Sequence, residues 1–281
     1  MRILLVGVAT VALSGCSWLG LGGQHNTHHS NYNQNTGYYH AQQAAPKSSC
    51  QTNQCLARWN LEFAGGPEWI AGGKALTGSQ INDNGGIATV NDVRMRSAFD
   101  DGYRAELGGS YALNPNRKVT ANAFYSKAEG QDNINLGTLN GNAVTGGFSD
   151  YKSYGAEVGI RQYAQPRRGL ILKSVRPYVE GKLGAAYVDD ISISNAQGGD
   201  ALFASGTRLY EGGWVPTAAG MVGFETPVLP QMTLGLESGI RYTGKLGTDT
   251  SDLGVGTLAG ASNNGSDRWT VPVMLRGRYR F

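Results

Sequence analysis

The chain has 281 residues, 42 of them Gly, with 16% charged residues and a formal net charge of +3 at pH 7. So small a charge gives no reason to expect a nucleic-acid partner, and no stretch beyond the signal-like N-terminus is long and apolar enough for a transmembrane helix. A polar average does not exclude the membrane, because strands that alternate apolar with polar residues hide their hydrophobicity from a running mean.

Residues 1–15 read as a secretory signal peptide, with a charge at Arg2, an apolar run from Ile3 to Leu13 and then Ser14 and Gly15. The run is too short to cross a bilayer. Its end, Leu13-Ser14-Gly15-Cys16, resembles the lipobox of bacterial lipoproteins, and that resemblance implies that Cys16 becomes the acylated first residue of the mature chain. It further implies outer-membrane sorting, because Ser17 stands where an inner-membrane retention Asp would be. Ordinary cleavage with Cys16 unmodified is the alternative.

Residues 16–55 are expected to form a lipidated, flexible periplasmic tether rich in Gln, Asn, Gly, Ser and His. It holds all four histidines (His25, His28, His29, His40), but no fixed scaffold or further ligand for a metal, so a solvated tether is preferred to a metal site. Gly20-Leu21-Gly22-Gly23 lacks the strand and helix that a phosphate loop needs. With Cys16 acylated, Cys50 and Cys55 would be the two thiols left in an oxidising compartment, and a disulfide is expected between them.

From about residue 56 to 281 the period changes to two, the strand period, and eight segments predict an all-β, antiparallel, up-and-down transmembrane barrel. The first turns Trp59, Leu61 and Phe63 outward and Arg58 and Glu62 inward. The second turns Tyr103, Ala105, Leu107 and Tyr111 outward against Arg104 and Glu106, and the third Val119, Ala121, Ala123 and Tyr125 against Thr120 and Asn122. In the fourth, Tyr154, Ala156, Val158 and Ile160 oppose Glu157 and Arg161. In the fifth, Val179, Leu183, Ala185 and Tyr187 oppose Glu180 and Lys182. The sixth presents Trp214, Pro216, Ala218, Val222 and Phe224. The seventh sets Leu234, Leu236, Ile240 and Tyr242 against Glu237 and Arg241.

The eighth, Trp269 to Phe281, alternates without a break and carries Arg276 and Arg278 on its polar face. At roughly 3.3 Å per residue and the tilt of a barrel strand it rises about 30 Å, the thickness of a bilayer's apolar core. Pro216 and Pro272 cannot donate to a ladder, so each predicts a bulge or a strand end. Ile87 to Phe99 keeps the parity of the second strand, which suggests a hairpin projecting from the membrane.

Connections after strands two, four and six are short, and the others are long and rich in Gly, Asn and Asp, which places the long ones outside the cell and both termini in the periplasm. On this topology Tyr125, Tyr154, Tyr187, Trp214, Tyr242 and Trp269 share the outer rim as an aromatic girdle, with Trp59, Tyr111, Tyr279 and Phe281 at the other. The terminal Arg276-Gly277-Arg278-Tyr279-Arg280-Phe281 resembles the end of the OmpA-like family of small outer-membrane barrels. That resemblance implies an integral outer-membrane protein of the porin family's general type, with Phe281 part of the signal read by the barrel-assembly machinery.

The inward set (Glu62, Arg104, Glu106, Glu157, Arg161, Glu180, Lys182, Glu237, Arg241, Arg276 and Arg278) mixes signs, as a narrow bore requires if no ion is to stand unpaired. A plug of paired charges is the preferred reading, and a narrow pore for small polar solutes is the alternative. A lipid-modifying enzyme is the third possibility. Against it, the barrel has no His, and Glu157 and Glu180 lie beside Arg161 and Lys182, which favour the carboxylate over the general acid. The expectation is a non-enzymatic, cofactor-free surface or structural protein. Its partners would be outer-membrane lipids and lipopolysaccharide, the assembly machinery and an unidentified extracellular ligand.

Overall fold

The computed structural model describes residues 58–83, 86–164, 175–198, 206, 208–248 and 267–280. The expected signal peptide, Cys16, the tether, the Cys50–Cys55 pair, the connection 165–174 and Phe281 lie outside the described residues. The strands are β1 Trp59–Gly72, β2 Lys74–Leu76, β3 Ser79–Asp83, β4 Gly86–Val90, β5 Val93–Arg94, β6 Gly102–Asn114, β7 Arg117–Ala128, β8 Ile134–Leu139 and β9 Asn142–Phe148. They continue with β10 Tyr151–Tyr163, β11 Arg176–Val188, β12 Ile191–Gln197, β13 Arg208–Glu211, β14 Gly213–Pro227, β15 Met232–Thr243, β16 Gly247–Thr248 and β17 Arg268–Arg280.

Eight of them, β1, β6, β7, β10, β11, β14, β15 and β17, close an antiparallel barrel in chain order, β17 returning to pair with β1. Period-2 alternation puts one face of every strand outside. Leu183 is 66% exposed, Val158 62% and Leu107 60%, while Glu62, Arg161 and Glu237 on the other face are at most 1% exposed. Side chains as apolar as these are stable in such numbers on an outer wall only against hydrocarbon.

Each of the two prolines sits where the ladder on one of its two sides lapses. Pro216 lies just past the last β14–β15 pair, Thr217↔Thr243, and its carbonyl accepts from the Gly244 N–H at 2.9 Å. Pro272 lies in the gap between Ser238↔Val273 and Arg241↔Thr270, while on the other side Pro216 stands opposite Ala185 of β11 and Pro272 opposite Glu68 of β1, so both lie inside strands and not at the strand ends expected. Gly277 serves close approach: it pairs with Phe63, whose ring lies where a Cβ would stand, 2.1 Å away.

The long connections are not the loose polar loops that their composition suggests. They build a second, seven-stranded sheet of order β16-β13-β12-β9-β8-β4-β3, with β2 and β5 paired beside it. Ala75, Leu76, Val90, Val93, Met95, Phe99, Leu136, Val144, Phe148, Ile191, Ile193, Leu209, Tyr210 and Leu246 are buried together as its core. That core runs on into the barrel's upper end through Ile70, Phe124, Ala128, Tyr151, Ala186, Val188 and Val215. The hairpin expected over Ile87 to Phe99 is present only in part: Gly86–Val90 pairs back on Ser79–Asp83, and Val93–Arg94 pairs with Lys74–Leu76. Gly73 turns with φ near +110°, its carbonyl accepts from the Met95 N–H at 3.0 Å, and a single helical turn, Met95–Ala98, breaks the strand.

Candidate functional site

The inward faces of the barrel strands carry seven buried glutamates (Glu62, Glu68, Glu106, Glu157, Glu180, Glu225, Glu237) and seven buried cations (Arg104, Lys118, Arg161, Lys182, Arg241, Arg268, Arg276). Alternation supplies the position of each: the polar partner of every lipid-facing residue must point at the axis, where it meets the polar residues of the opposite wall.

Arg276 is the hub. Its Nε and Nη2 donate to Glu237 at 2.7 and 2.5 Å, its Nη1 to Glu62 at 3.1 Å, and its Nη2 also to Glu106 at 3.0 Å. Arg161 donates to both oxygens of Glu62 at 3.1 and 2.9 Å and, through Nε and Nη2, to Glu180 at 2.9 and 2.8 Å. Glu180 accepts a further bond from the Thr120 hydroxyl at 2.6 Å, and Glu237 one from the Tyr178 hydroxyl at 2.7 Å.

A second knot adjoins the first. Glu106 accepts from Arg104 at 2.8 Å, Lys182 at 2.7 Å and Arg241 at 3.1 Å. Glu157 accepts from Arg104 at 3.3 Å and also from Arg241. The Arg104 guanidinium lies over the Phe124 ring at 3.7 Å, where the ionic layer meets the apolar one. Glu62, Glu106 and Glu157 each hold two or more cations, and Glu180 and Glu237 each hold one cation and one hydroxyl, an arrangement in which buried ions are tolerated.

Ten of the inward residues expected from sequence thus meet in one connected network. Arg278 stands apart from it, paired with Glu225 at 2.6 Å and with the Tyr163 hydroxyl at 2.8 Å. Arg58 is not in the bore: it precedes β1 and is exposed at the rim. Sequence reasoning missed Glu68, Lys118, Glu225 and Arg268. Glu68 accepts from the Thr270 hydroxyl at 2.8 Å and from Ser126, with Arg268 3.7 Å away, and Arg268 lies over the Tyr151 ring. Each has the inward parity of its strand, and extending β1 past Gly65-Gly66-Pro67 would have found Glu68. One small apolar cluster, Ala64, Ala219, Met221 and Met274, interrupts the polar wall.

On the outside, rings meet at the level where cap and barrel join. Tyr103 and Tyr125 are 6.1 Å apart between centroids, Tyr154 and Tyr187 5.5 Å, Tyr187 and Trp214 5.8 Å, and Tyr242 and Trp269 4.9 Å. At the opposite rim Trp59 packs on Tyr111 at 5.0 Å, and the Tyr279 hydroxyl donates to Gln231 at 2.8 Å.

Among the described residues no group of three or more His, Cys, Asp or Glu is placed to hold a metal ion, and no helix is long and apolar enough to cross a membrane. No family model matches the chain, and no curated protein matches it. Among solved structures it is similar to Neisserial surface protein A, with 11% identity over 79% of this chain and 96% of that one and a TM-score of 0.40. It is also similar to Ail, the attachment invasion locus protein of Yersinia pestis, at 14% identity over 79% and 98% with a TM-score of 0.36. The outer membrane protease OmpT of Escherichia coli matches at 10% identity over 80% and 97% with a TM-score of 0.39.

Proposed function

We propose that the chain is an integral β-barrel of the bacterial outer membrane whose bore is shut and whose folded cap is its working surface, outside the cell. In this reading Cys16 carries a lipid on the periplasmic side, the aromatic pairs sit at the membrane interfaces, and Phe281 is read by the assembly machinery. The role is structural or one of surface interaction with lipopolysaccharide or an extracellular ligand, and not enzymatic.

The observation that carries the reading is the Arg276 hub under the cap core. An ion path would have to part Arg276 from three glutamates at once and then open an apolar layer above them. The lipid-facing wall supports the membrane assignment, and the cap sheet supports recognition, since it holds surface segments on a rigid frame. The test is single-channel recording on the purified, folded barrel in planar bilayers. Silence is expected at neutral pH. Steady, discrete openings would replace this reading with that of a narrow pore for small polar solutes. Heat-dependent gel migration and recovery in the outer-membrane fraction check the membrane assignment.

A further inference from the structure

The 21 carboxylates of the chain are sharply partitioned: 14 lie in the four long connections and the other seven are the buried glutamates of the bore. The residues before β1 and the three short connections therefore contain neither Asp nor Glu, yet they carry Arg58, Arg167, Arg168 and Lys173. Of the seven buried glutamates, Glu225 alone lines the pocket at the short-turn mouth.

That mouth holds a cavity of about 220 Å³. Arg176, Arg278 and Arg280 line it, with Asn60, Gln231 and Thr233 supplying neutral polar groups. Arg176 donates one N–H to the Pro115 carbonyl at 2.8 Å and Arg280 one to the Pro230 carbonyl at 3.3 Å, so each fork is held in place with donors to spare. Glu225 is taken by Arg278 at 2.6 and 2.7 Å.

Behind these stands Lys118, 7% exposed on the inward face of β7. Arg278 and Glu225 are its strongest charged neighbours and the Tyr163 ring lies 5.4 Å away, but among the described residues its ammonium has no ion pair or hydrogen bond. The next carboxylate inward, Glu62, is held by Arg161 and Arg276. A buried ammonium without an anion is costly, and three guanidiniums around one committed carboxylate already leave a surplus that a dianion matches better than a single negative charge, with the Lys118 amine behind them to add a fourth cation once an anion is bound.

We infer that the short-turn mouth of the barrel is a binding site for a phosphate group, gripped by the forks of Arg176 and Arg280 with Lys118 behind. The group comes either from a soluble phosphate or from the headgroup of an anionic phospholipid, which share this chemistry. Arginine suits it because its planar fork matches phosphate oxygens two at a time.

The test uses the full chain in zwitterionic nanodiscs, titrated with inorganic phosphate against acetate at equal ionic strength and followed by calorimetry. A second arm purifies the protein from mixed membranes and measures retained phosphatidylglycerol by mass spectrometry. Saturable phosphate binding at about 1 mM or tighter, weakened roughly tenfold in R176Q and restored by R176K only in part, supports the site with a soluble ligand. Retention of phosphatidylglycerol that falls in R176Q supports it with the headgroup as the source. K118M, checked for heat-dependent gel migration to show that it folds, should weaken whichever binding is seen. Absence of both signals, or signals equal in R176Q, K118M and the parent, would overturn the inference.

Discussion

Above Glu68 and Arg268 the interior is filled by Ile70, Val188, Val215 and the cap's Leu136 and Phe148, whereas below them it is filled by ion pairs gathered on Arg276. Barrel strands contribute to both regions, so secondary structure is not the difference. The solvent outside is. Where the wall faces hydrocarbon, its apolar residues are spent outward and parity leaves polar ones for the axis. On the proposed membrane placement the outside past Tyr125, Tyr154, Tyr187 and Trp214 is water, and the order reverts to that of a soluble protein. Strand β7 turns Lys118, Thr120 and Asn122 to the axis first and then Phe124 and Ala128, with Ser126, the partner of Glu68, between the last two.

The two cores should therefore fail differently. An apolar core loses area and contacts in proportion to the atoms removed, but an ionic one loses the balance of every partner at once. The largest effect is expected from Arg276→Ala, which strips one cation from Glu62, Glu106 and Glu237 together. A loss of about 3–5 kcal/mol is predicted from the cost of breaking buried pairs. Urea unfolding in detergent, read by gel migration, measures it. An Arg276→Ala barrel as stable as the parent would show that water, and not the ion pairs, holds the bore.

Next comes Leu136→Ala in the cap, where the side chain is wholly buried. A loss of about 2–4 kcal/mol is expected, confined to the cap. Proteolysis should cleave the long connections faster while the heat-dependent gel shift stays. If barrel and cap melt together instead, the two cores are one cooperative unit and the contrast between them is one of chemistry only.

How far each region could be read from the amino acids follows from the same contrast. Lipid-facing alternation is enforced over a dozen residues at a time, so Leu107, Val158 and Leu183 and the charges between them announce the strands plainly. The cap is built from strands of two to seven residues broken by Gly and Asn, too short for a period to rise above composition. Ile191-Ser192-Ile193 and Val144-Thr145-Gly146-Gly147-Phe148 do alternate, but only the paired fold shows that they face one core. Glu68 was hidden for a different reason: Gly65-Gly66-Pro67 reads as a strand end, although β1 continues through it with parity intact.

A smaller effect should come from overpacking the lipid face. Gly277→Val drives a branched side chain into the Phe63 ring that covers the glycine. A loss of about 1–3 kcal/mol is expected, and the double variant with Phe63→Ala should recover part of it. Failure to recover would move the cause from the ring to the backbone of β17.

The smallest prediction probes the cap's outer edge, where solvent screens every charge. Asp92 accepts from the Gly78 N–H at 2.8 Å and from Lys74 at 3.2 Å, tying the β2–β5 pair to the start of β3. The Gly78 N–H, followed by Lys74, holds the Asp92 carboxyl below its ordinary value of 3.8. A depressed folded value means that the tie is complete above 3.8 and is lost as the pH falls through the lower, folded value. Hydrogen exchange at the Gly78 amide should therefore be protected at neutral pH and lose that protection in stronger acid, with Asp92→Asn showing weakened protection at every pH. Because the tie is exposed, the ion pairs of the bore should be untouched by it, and gel migration of Asp92→Asn should match the parent. A shift there would mean that the cap's rim and the ionic core communicate across the apolar layer that separates them.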